Sequence, residues 1–123
     1  MATLNDRVYD NGLTILDTEA NRLDICSQEP TTYAEATSTY TLGNKTSLSI
    51  GAPSARAGGG REVTIAAFTD GAVTGNGSAT HYSIVDTANS RLLATGSLSS
   101  SQTVTSGNTF SLAAFKIGIP APA

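Results

Sequence analysis

The first apolar rhythm along the chain is short. Leu4 and Val8 lie one helical turn apart, Thr3 stands before them as an N-cap, and Asp6 sits near the positive end of the dipole. This spacing predicts a short helix over 4–10, closed by Asn11-Gly12, although Val8 and Tyr9 fit a strand equally well. Leu13-Thr14-Ile15-Leu16 is an apolar segment that fits either type, and Thr18-Glu19-Ala20-Asn21 predicts a turn. From Arg22 the period becomes two. Leu23 and Ile25 alternate with Asp24 and Cys26, and Gln28-Glu29-Pro30 ends that strand because proline donates nothing to a ladder. Residues 31–41 are rich in Thr and Tyr and read as a half-exposed strand or a long loop. Ser47-Leu48-Ser49-Ile50 alternates again and Gly51-Ala52-Pro53 stops it.

Residues 54–60 are small and glycine-rich, which predicts a mobile loop. A strand follows from Glu62 to Phe68, with Val63, Ile65 and Ala67 on one face, and Asp70-Gly71 predicts a turn. A second turn falls at Thr74–Ser78. Thr80–Val85 and Arg91–Thr95, joined through Asp86–Ser90, predict a hairpin. Residues 97–105 are polar except Leu98 and Val104, and Ser106-Gly107-Asn108 predicts a tight turn. Phe110, Leu112 and Ala114 then share one face, after which the apolar phase flips to Phe115, Ile117 and Ile119. Such a flip predicts a bulge or a strand covered on both faces. Pro120-Ala-Pro-Ala predicts an extended arm. The count is about seven or eight short strands with little helix, the pattern of an all-β sandwich, jelly roll or small barrel. It divides into an N-terminal segment (1–22), one β domain (23–119) and the arm (120–123).

Composition sharpens this picture. Thr and Ser fill 32 of the 123 positions, and only 14% of residues are charged, below the usual ~25%. One Cys and one His make a disulfide framework or a metal centre a poor expectation. Residues 1–35 carry a net −5 and residues 36–123 a net +2, an acidic head on a weakly basic body. No cluster of Lys and Arg points to nucleic acid, and no apolar run reaches the ~20 residues of a membrane span.

The chemistry on offer is thin. His81 and Ser83 share a strand face, but Asp86 has the opposite parity and no Gly-x-Ser-x-Gly turn occurs. Asp70 and Asp86 adjoin turn residues, where their side chains bond local amides. Gly58-Gly59-Gly60-Arg61 resembles a phosphate loop only superficially, because it lacks Gly-Lys-Ser/Thr and precedes a strand. Cys26 reads as a small buried side chain or as the donor of an intermolecular disulfide. The expectation is a protein that is not an enzyme and holds no cofactor.

One series of segments resembles a known family. Leu23-Asp-Ile-Cys-Ser-Gln-Glu-Pro30 leads into a β-rich middle with Gly51-Ala52-Pro53. Thr80-His81-Tyr82-Ser83-Ile84-Val85-Asp86-Thr87-Ala88 follows, then Leu92–Leu98 and Val104–Ala114. In this order they resemble small tailed-phage virion proteins of the tail-fibre-like or head-decoration type. The resemblance implies a jelly-roll-like antiparallel β-sandwich and a structural role on a capsid surface, or else in a neck, tail or fibre that meets the host surface or a glycan. It implies a chain made in the host cytoplasm, with the major capsid protein, other virion proteins and further copies of itself as partners. Candidate contact residues are Leu4, Val8 and Leu13 at one end, and Ile117, Ile119, Pro120 and Pro122 at the other. Ile117 fits the domain's own core equally well.

Overall fold

A computed structural model describes residues 3–4, 14–51, 53–55, 57 and 61–119. Its strands are β1 (Thr3–Leu4), β2 (Arg22–Cys26), β3 (Thr41–Thr46), β4 (Ser54–Ala55), β5 (Arg61–Ile65), β6 (Phe68–Val73), β7 (Gly77–Asp86), β8 (Arg91–Val104), β9 (Thr109–Leu112) and β10 (Phe115–Ile119). They pair antiparallel in a seven-stranded sheet, ordered β1-β8-β7-β2-β3-β6-β9, and a three-stranded sheet, ordered β10-β5-β4. The all-β reading holds. Both sheets feed one buried cluster, in which Leu23, Ile25, Val73, Ile84 and Leu93 of the larger sheet join Val63, Ile65 and Ile117 of the smaller. None of the described helices is long and apolar enough to cross a membrane.

β2 lies between β3 and β7. Leu23 and Ile25 belong to the shared core, while Asp24 and Cys26, of opposite parity, are buried on the other face. What covers that face is the segment read as a strand or loop. Residues 33–39 are helical and end in a π-helical turn over Glu35–Thr39. The reason is local. Thr32 Oγ1 accepts the Glu35 N–H, and Glu35 Oε1 accepts both the N–H and the hydroxyl of Thr31. This is close to a capping box, and it outweighs the β preference of the Thr-rich run.

The helix of the N-terminal region also lies elsewhere. Thr14–Glu19 forms α1, with Leu16 fully buried and the Thr18 hydroxyl donating to the Thr14 carbonyl. The predicted helix over 4–10 lies outside the described residues except at Leu4, which pairs with Ala94 in β1. The hairpin formed by β7 and β8 is as expected, and Asp86 closes its turn by accepting the Ala88 N–H and the Asn89 amide. β8, however, continues to Val104 rather than ending at Thr95. Its ladder carries a large bulge. His81 faces Ser97 and Ala79 faces Gln102, so β8 spends three more residues than β7 over that interval.

Three further corrections gather at one corner of the molecule. The predicted strand Glu62–Phe68 is broken at Ala66-Ala67, and Asp70-Gly71 lies inside β6 rather than in a turn. The phase flip near Ala114 is neither a bulge nor a doubly covered strand. Ile65 pairs with Phe115 in the small sheet, and Phe68 pairs with Leu112 in the large one. Between these pairs Ala66-Ala67 and Ala113-Ala114 cross from one sheet to the other. The two strands therefore form one antiparallel ribbon bent over the corner of the molecule, and a strand that changes sheets must change its buried face. Ser47–Ile50 pairs only through Ile50, which bridges to Ile65.

Candidate functional site

The predicted contact residues separate. Ile117 is 8% exposed and belongs to the core, the second of the two roles weighed for it. Ile119 is half-buried beside it, on β10 at one border of the small sheet. Leu4 is on β1, at a border of the large sheet. Val8, Leu13, Pro120 and Pro122 lie outside the described residues.

Cys26 has no exposed surface. Its thiol lies 3.8 Å from the Ala36 carbonyl and 3.9 Å from Ser83 Oγ. Burial pushes the thiol up to about 12, although the contact with Ser83 favours the thiolate. An intermolecular disulfide at this sulfur requires the 33–40 segment to move aside.

His81 stands opposite Cys26 in the ladder. Thr80 Oγ1 is 3.0 Å from the Ser27 carbonyl and 2.9 Å from His81 Nδ1. A carbonyl only accepts, so the hydroxyl proton goes to Ser27 and Nδ1 carries the ring proton. Asp86 is committed to its own turn, and Ser83 faces Cys26. These side chains are not assembled as a nucleophile, base and orienting acid. Asp70 pairs with Lys45 at 3.1 Å. Among the described residues no three His, Cys, Asp or Glu side chains gather in metal-ligating range.

The same outer face holds a buried charge. Arg22 donates to both oxygens of Asp24 at 2.7 and 2.8 Å, and the Thr41 hydroxyl donates to Oδ2 at 2.6 Å. This fork raises the guanidinium further above its ordinary value, chiefly through the hydrogen bond to Asp24. All of this is structural support for β2 and the segment above it.

The concave feature that pattern reading missed lies at the bent corner. A cleft of about 520 Å³ opens between the β8 bulge and the 112–116 crossing. Tyr82, Leu98, Leu112 and Phe115 supply its apolar surface, with Ser97, Ser99, Gln102 and Lys116 around them. The rings of Tyr82 and Phe115, which belong to different sheets, have centroids 4.6 Å apart and planes tilted by 52°. Lys116 Nζ meets Glu62 Oε2 at 3.0 Å. The sequence signals were present but separate: a polar run interrupted by Leu98, and a phase flip at Phe115. Nothing in either says that they face each other.

The chain matches no family model, no curated protein and no solved structure.

Proposed function

We propose that this chain is a structural component of a tailed-phage virion, a protein that decorates or cements the capsid, folded as a jelly-roll-like β-sandwich. The observation that carries the reading is the ordered series of segments between Leu23 and Ile119 that resembles such proteins. The architecture is compatible with that work. Antiparallel strands rich in Ser and Thr surround one core, and β10 has no strand on its outer side among the described residues. A bordering strand with free main-chain groups is suited to pairing with a neighbouring chain. Quantitative mass spectrometry of purified heads tests the reading. The expected result is many copies per head, and heads stripped of the protein lose resistance to heat or chelator. Heads that never contain it overturn the reading.

A second reading, a neck, tail or fibre-like component that touches the host surface, is favoured by the cleft between Tyr82 and Phe115. Labels confined to the tail or neck in electron micrographs select it over the first.

A further inference from the structure

We propose that the corner cleft is a binding site for a neutral saccharide. The inference rests on the second reading for its biological use, but the binding itself belongs to the isolated chain.

Three features converge. The first is shape. The cleft's volume of about 520 Å³ lies within the ~300–1,000 Å³ of ligand sites. It is opened by two irregularities of the sheets, the three-residue excess of β8 opposite Thr80 and the sheet change at Ala113-Ala114. Bulges of this kind recur where a protein re-aims side chains toward a ligand.

The second is the wall. Tyr82 and Phe115 are half-buried and pack on the core, so their rings are held rather than free to turn. Tyr82 is also seated on Gly96, where a Cβ would stand 2.6 Å from the ring. Fixed aromatic faces suit the C–H surface of a sugar ring and cost little conformational entropy on binding.

The third is the polar rim. Ser99 and Gln102 line the cleft, and neither side chain is bonded to another described residue, so a hydroxyl and an amide that can each donate and accept stand at its rim. Lys116, the one cation among the described residues that line the cleft, is already balanced by Glu62. A phosphate or carboxylate would have to compete for it, whereas a ring of hydroxyls needs no net charge. An apolar segment of a partner protein would use the same wall but leave Ser99 and Gln102 against hydrocarbon, which is costly.

The test screens the full chain on an array of neutral and acidic glycans and then follows its ¹⁵N amide spectrum during titration with the best neutral oligosaccharide and with sialyllactose. The expected result is binding of a neutral glycan, with shifts centred on Leu98, Gln102, Ala113 and Phe115. Gln102→Ala should weaken binding about fivefold, the loss of one hydrogen bond. Ser99→Trp should block it; Ser99 is exposed and Gln102 half-buried, and both variants should keep the thermal midpoint of the parent to within a few degrees. No neutral glycan bound, preference for sialyllactose, or shifts away from the cleft would each overturn the proposal. So would an apolar peptide that moves these amides when sugars do not. Finding the protein on heads alone sinks the second reading while leaving a measured saccharide affinity intact.

Discussion

Tyr82 lies across Gly96. The two residues face each other in the β7–β8 ladder, and a side chain at 96 would meet the phenol ring at 2.6–2.7 Å. The ring occupies the space its neighbour leaves empty. From there it reaches Phe115 of the other sheet, and the cleft wall exists because of that pairing.

Replacing Gly96 by alanine should therefore displace the ring toward the cleft, where it has room to move. The expected cost is about 1 kcal/mol, near the lower end for overpacking. Urea unfolding measures it, and the tyrosine band of the near-ultraviolet circular dichroism spectrum should weaken. An unchanged band would mean that Tyr82 does not depend on Gly96.

Gly71→Ala should be worse. A Cβ there would stand 2.4 Å from the Phe110 ring, which is only 4% exposed and packs edge-on against Phe68. The ring has nowhere to go, so the expected loss is about 3 kcal/mol, the upper end for overpacking. Equal midpoints for G71A and the parent would mean that the Phe110 ring does not lie over Gly71.

Asp24→Ala should cost about 3 kcal/mol. It strips the half-buried Arg22 guanidinium of its fork and the Thr41 hydroxyl of its acceptor. Arg22→Lys keeps the charge but loses the second hydrogen bond, and should fall between the parent and D24A. The unfolding midpoints of the three proteins check this order.

Cys26 should impose a slope on stability at alkaline pH. Its thiol titrates at about 12 in the folded chain, against 9.0 when unperturbed, because burial disfavours the thiolate. A raised acid binds more protons when folded, so the contribution is complete below about pH 9 and is lost as the pH rises toward 12. Unfolding measured across that window should show the decline, and Cys26→Ala should make it shallower, leaving the part due to the Tyr82 phenol, which burial also raises.

The lid over Cys26 should respond to acid. The Thr31 N–H and hydroxyl hold the Glu35 carboxyl below its ordinary range. A lowered acid gives stability above its unfolded value, and that stability disappears as the pH falls through the folded one. Labelling of Cys26 by 4,4′-dithiodipyridine, taken relative to the rate of an unstructured cysteine peptide at the same pH, should accelerate as the pH drops through the carboxylate range. Glu35→Gln should be labelled faster than the parent already at pH 7. Identical rates in the two proteins would show that the turn is held by other contacts.

Local chemistry was legible from the residues alone. Alternation placed Leu23, Ile25, Val63 and Ile65 in the core, and Asp86–Ser90 closes the hairpin where its turn residues stand. These features depend on neighbours in sequence, and period two survives wherever one face is buried. The capping contacts of Thr32 and Glu35 were legible too, had the β preference of their surroundings been set against them. What the tertiary structure decided is everything that requires two distant segments to meet. Gly71 reads as a turn until Phe110 lies over it, and alternation sets Asp24 opposite Leu23 and Ile25 without showing that its face too is buried. The phase flip at Phe115 announces a change of sheet only beside the matching break at Ala66-Ala67. The cleft belongs to the same class. Its wall and rim come from three separate stretches, at Tyr82, in Ser97–Gln102 and in Leu112–Lys116, and burial on a shared core, rather than any local propensity, is what brings them together.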